Sequence, residues 1–70
     1  MKKIVVAYWF QGIPELEYTH GQEFEYSEEK KMEIINNILA KGFSVMIRAN
    51  QGDNGEYLNI WISKYSFGQR

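Results

Sequence analysis

Residues 14–26 read PELEYTHGQEFEY, and the number of strands in the fold turns on how they are read. The segment is almost its own mirror image: Glu-Leu-Glu-Tyr, then Thr19-His20-Gly21, then Gln22 and Glu-Phe-Glu-Tyr. A three-residue hairpin loop needs a left-handed residue in its last position, and Gly21 supplies one. That loop pairs Glu17 with Glu23, Leu16 with Phe24 and Glu15 with Glu25. It gathers Leu16 and Phe24 on one face and four carboxylates on the other, whereas an even loop mixes the faces. Like charges directly opposite on paired strands cost about 0.2–1 kcal/mol. The expected acidic hairpin is therefore a feature that needs a use.

Upstream, IVVAYWF (residues 4–10) is an unbroken apolar, β-branched and aromatic run, the signature of a strand buried on both faces, and it is expected in the middle of a sheet. Gly12 and Pro14 end it. Downstream, Ser27 is a helix N-cap with Glu28 and Glu29 in the favourable first turn. The helix runs through EEKKMEIINNILAK, with an apolar stripe of Met32, Ile35 and Leu39 widened by Ile34 and Ile38, and Gly42 as its left-handed cap. The remainder, FSVMIRANQGDNGEYLNIWISKY, reads as a second hairpin. Phe43, Val45 and Ile47 share a face with Leu58, Ile60 and Ile62 if its loop is even. Both an Asn54-Gly55 turn and a four-residue loop from Gly52 to Gly55 satisfy that condition, so the register stays open. The expected architecture is one α+β domain over residues 1–70: an antiparallel sheet of four to five strands in the order β-β-β-α-β-β, with one helix packed on one face.

A chain of 70 residues buries only about 60% of the surface its unfolded form exposes. It contains no Cys, so disulfides and thiolate metal sites are excluded, and oligomerisation is the remaining staple; a homodimer through the sheet back or an edge strand is expected. Cysteine-free composition fits a reducing compartment, and the apolar run near the N-terminus is too short and too aromatic for a signal peptide or membrane span, so the expected location is cytoplasmic. Net charge is −1, and seven of the nine acids lie between positions 15 and 33. That balance argues against a protein whose work is coating phosphate backbones.

One helix covers one face of a sheet, so the residues facing the other way carry the functional expectation. They are Met46, Arg48, Tyr57, Asn59, Trp61 and Ser63, joined from the first strand by either Val5, Ala7 and Trp9 or the alternate set Ile4, Val6, Tyr8 and Phe10. An apolar face of this kind is seldom left in water, and its expected cover is either a dimer partner or this chain's own loop at residues 11–14 or C-terminal YSFGQR (residues 65–70). The expected function is non-catalytic protein–protein binding, with Glu15, Glu17, Glu23 and Glu25 as an acidic face and Trp9, Met46, Tyr57 and Trp61 as an aromatic interface. Such a chain suits an inhibitor that presents its carboxylates to a basic, nucleic-acid-handling partner. The alternative is single-stranded nucleic-acid binding, in which Trp61, Tyr57 and Trp9 stack on bases while Arg48, Lys64, Lys2 and Lys3 meet phosphates. No catalytic residue, metal or cofactor is assigned: His20 is the one histidine and is expected at a loop tip, and there is no phosphate-cradling Gly motif or zinc spacing.

Overall fold

The computed structural model describes residues 1–53 and 55–65. Its elements are β1 (Lys3–Tyr8), β2 (Gln22–Glu25), α1 (Glu28–Ala40), β3 (Ser44–Gly52) and β4 (Gly55–Ser63). Among the described residues the strands form one mixed four-stranded sheet in the order β2-β1-β4-β3. β1 runs antiparallel to β2 but parallel to β4, and β3 runs antiparallel to β4. The expected small α+β fold with one helix on a sheet is therefore found, but the sheet is mixed, and the element order is β-β-α-β-β.

The difference lies in residues 14–26. No strand forms over Glu15–Tyr18; Gln22–Glu25 pairs with β1 instead, setting Ile4 opposite Phe24, Val5 opposite Glu23 and Lys3 opposite Glu25. The expected pairs Glu15/Glu25 and Glu17/Glu23 do not exist. Glu23 gains a cation in place of a like charge, with Lys3 Nζ 3.2 Å from its carboxylate. The apolar β1 has two ladder edges to satisfy, and β2 closes the one that β4 leaves open. The connection instead buries apolar side chains: Ile13 and Leu16 enter the core, across a turn closed by Leu16 N–H donating to Ile13 C=O at 3.0 Å, with Pro14 in its favoured second position. Gly21 does take the left-handed conformation (φ 82°). It does so at the entry to β2, where its N–H donates to Val6 C=O at 2.7 Å.

β1 is an interior strand, as its composition requires, and Ile4, Val6 and Tyr8 turn toward α1. They meet Leu58, Ile60 and Ile62 of β4 and Ile34 and Ile38 of the helix, the last two fully buried. The buried stripe is thus Ile34/Ile38; Met32 and Leu39, expected at its centre, are exposed. Ser27 Oγ accepts from Lys30 N–H at 2.9 Å, as an N-cap should. At the other end Gly42 (φ 87°) allows Gly42 N–H to reach Leu39 C=O and Phe43 N–H to reach Ile38 C=O, the double closure of a Schellman motif. In the second hairpin Val45 lies opposite Ile62 and Gln51 opposite Glu56, the register expected of a Gly52–Gly55 loop and not of the Asn54-Gly55 turn, but Gly52 and Gly55 are themselves paired at the strand ends, so the connection is shorter than the expected four residues.

Candidate interaction surface

Register and side-chain alternation decide what shares the sheet face away from the helix. Reading across the strands, one row is Glu25, Lys3, Tyr57 and Asn50; the next is Glu23, Val5, Asn59 and Arg48; the third is Ala7, Trp61 and Met46. Trp9 follows Ala7 by the same alternation, its N–H extending the ladder to Ile62 C=O at 2.8 Å. Its indole meets that of Trp61 edge to face, with centroids 5.5 Å apart and planes at 85°, an arrangement aromatic quadrupoles favour. Trp9 is 56% exposed and Trp61 half-buried. Of the two first-strand sets weighed from sequence, Val5, Ala7 and Trp9 are therefore the ones on this face. The loop over residues 9–21 sends Ile13 and Leu16 to the opposite side, into the helix-side core. The C-terminal segment YSFGQR (residues 65–70), expected as one cover for this face, lies beyond Tyr65 outside the described residues.

The polar groups on this face are largely committed within the fold. Asn59 is buried, and its Nδ2 donates to Val5 C=O at 2.9 Å, tying β4 to β1. Lys3 is matched by Glu23. Arg48 is exposed toward the β3 edge, and Glu25 toward the β2 edge. Lys2 and Lys3 line a shallow groove of about 400 Å³ together with Asp53 and Glu56. Lys64 lies past the end of β4, beside Phe10, Gln11 and Tyr65. Of the four cations named for phosphate contact, Lys2 and Lys3 share a groove with carboxylates, while Arg48 on the β3 edge and Lys64 past β4 lie apart from it and from each other.

The four carboxylates do not form one face. Glu15 and Glu17 are exposed on the 9–21 connection, while Glu23 and Glu25 stand on β2 and share the sheet back with the tryptophans. Sequence reasoning missed that last juxtaposition, because it depends on β2 choosing β1, a pairing between segments far apart in the chain. His20 is exposed, yet its Nδ1 accepts the Tyr8 backbone N–H at 3.0 Å. Tyr8 in turn donates its hydroxyl to Tyr18 C=O at 2.6 Å, and burial, with Tyr18 alongside, raises its pKa above 10.0. At the helix start Tyr26 donates to Glu28 at 2.7 Å, and Lys31 lies 3.0 Å from the same carboxylate. These bonds hold the Glu28 carboxyl below its ordinary 4.5 and lift Tyr26 and Lys31 above theirs. Among the described residues no three metal-ligating side chains converge, and no helix is long and apolar enough to cross a membrane.

Fold and surface together define a small α+β domain with a helix-covered face and an aromatic, charge-bordered back. No protein-family model, curated protein or solved structure matches the chain.

Proposed function

We propose that the protein is a non-catalytic binding module and that its contact surface is the sheet back, with another protein as partner. The observation that carries this reading is the Trp9–Trp61 pair, with Trp9 more than half exposed on a flat strand surface beside Met46 and Ala7. Large aromatics at the centre of a flat patch are the residues that supply most binding energy when a partner excludes water around them. Glu23 stands one row from Ala7 at the side of the patch and Glu25 a further row along β2 on the same face, so a partner with an apolar centre and a basic rim fits best. A chain that covers a basic, nucleic-acid-handling surface in this way would act as an inhibitor. The docking role first expected for four hairpin carboxylates passes to these two, on the same sheet face as the tryptophans.

Direct nucleic-acid binding is the weaker reading, because Glu23 and Glu25 stand on the same face as the aromatics and Lys3 is already paired. The protein is immobilised and partners are recovered from lysate with wild type, Trp9→Ser and Glu23→Gln/Glu25→Gln. Loss of the same partner in both variants is the expected result, and its undiminished recovery by Trp9→Ser overturns the assignment. Titration with single-stranded DNA and RNA at low salt is expected to leave tryptophan fluorescence unchanged; strong quenching would favour the nucleic-acid reading instead.

A further inference from the structure

The two edges of the sheet are unlike. β2 is four residues long and carries Glu23 and Glu25, which discourage any strand from adding to it. β3 is nine residues long, contains no Pro, and bears one charge, Arg48. Its outer edge has no ladder partner among the described residues. Its centre, Ile47 to Ala49, is exposed on both faces of the sheet, with Ile47 45% exposed. An edge this long, flat and weakly charged is a template for another strand.

The helix adds a second, independent feature on the same side. Ile34 and Ile38 point at the sheet, while Lys30 lies over the Phe24 ring and Asn37 donates to the Tyr18 hydroxyl, which fixes that flank of α1 toward β2. At 3.6 residues per turn Met32, Ile35 and Leu39 fall on the opposite flank, above β3. Met32 is 46% and Leu39 52% exposed. An unpaired strand edge and an unburied apolar stripe thus adjoin each other.

We propose that this side of the molecule is a homodimer interface: β3 pairs antiparallel with β3 of a second copy about a two-fold axis normal to the sheet, making a continuous eight-stranded sheet. A two-fold in this orientation keeps both helices on one face and brings stripe toward stripe as it brings edge to edge. An extended peptide from another protein would satisfy the edge but leave Met32 and Leu39 in water, so a second copy is the occupant that uses both features. With the axis at Met46, Val45 lies opposite Ile47 of the second copy and Ser44 opposite its Arg48. No like charges then face each other, and β-branched residues pair across the seam. The dimer extends the binding role proposed above, since the two sheet backs become one surface.

Light scattering between about 5 and about 500 micromolar is expected to show the mass rising toward twice the 8.3 kDa of the chain. Ile47→Lys, at a position 45% exposed, is expected to weaken dimerisation by about tenfold or more. Because the chain lacks Cys, Met46→Cys provides a second reading: an axis-related pair has Cα atoms about 4.5–5.5 Å apart, within disulfide reach, so mild oxidation should link two chains. Glu17→Cys, on the distant connection, should not link under the same conditions. A monomer at every concentration overturns the proposal. So does a dimer that survives Ile47→Lys but is lost in Trp9→Ser, which would place the contact on the sheet back. Should Ile47→Lys fail to fold by circular dichroism, the Met46→Cys result decides, and absence of cross-linking in a dimeric sample counts against edge pairing.

Discussion

The sharpest test of the fold is which helix positions carry its stability. Ile38 is fully buried in the cluster that α1 forms with the apolar side chains of β1 and β4, whereas its neighbour Leu39 is a little over half exposed. Truncating a buried Ile to Ala removes its transfer free energy and leaves a cavity, together about 2–5 kcal/mol. A domain of 70 residues has roughly 4–10 kcal/mol in total. Ile38→Ala should therefore remove about a fifth of the margin at the least and about half of it at mid-range values. In urea, with a slope of about 1 kcal/mol per molar for so small a chain, the midpoint should fall by about 2 M or the folded baseline should vanish. Leu39→Ala loses only the covered part of its side chain and gains slightly in helix propensity, so its cost should stay below about 1 kcal/mol. Both are followed by tryptophan fluorescence and circular dichroism at low micromolar concentration, where pairing through β3 contributes least. Equal losses for the two variants, or a larger loss for Leu39→Ala, would refute the placement of the buried stripe and with it the orientation of α1.

Two further predictions separate the observed pairing from the hairpin expected at first. Glu23→Gln should destabilise by about 0.2–1 kcal/mol, because it removes a partner of Lys3, while Glu17→Gln should be neutral; stabilisation by both would indicate the like-charge hairpin instead. Glu28 should make stability fall on the acid side: its carboxyl is depressed by the Tyr26 hydroxyl and then by Lys31, so its contribution is fully present above 4.5 and is lost as pH falls through the lower folded value. The raised Tyr26 and Lys31 act at the other end, contributing below about 10 and losing their effect as pH rises through their folded values. Urea midpoints measured across this range should flatten at both ends in Glu28→Gln, and an unchanged profile would remove the cluster from the pH response.

Features governed by short stretches were legible in the residues. The Ser27 cap, the Gly42 closure, the left-handed Gly21, the apolar interior strand and the alternation of β3 and β4 each depend on propensity or period within a few positions. The inward turn of Leu16 and Phe24 was legible for the same reason, although the pairing inferred from it was wrong. Of the candidate surface, Trp61, Met46 and Tyr57 were found by alternation alone, because one face of a strand is set by counting in twos, while Trp9 was one of two open sets from the first strand. The choice between the two faces of β1 was not, since an unbroken apolar strand presents similar side chains both ways.

What the chain by itself determined is the local part: where the helix starts and stops, that every expected strand except residues 15–18 extends, and which side chains leave a strand on the same side. Tertiary structure alone decided that Gln22–Glu25 turns to β1 rather than back on Glu15–Tyr18, that β1 and β4 run parallel, and that Ile34 and Ile38 rather than Met32 and Leu39 meet the sheet. The physical reason is common to all three. Each is a competition among partners distant in sequence, settled by which arrangement buries Ile13, Leu16 and the apolar β1 while giving Glu23 a cation instead of another carboxylate.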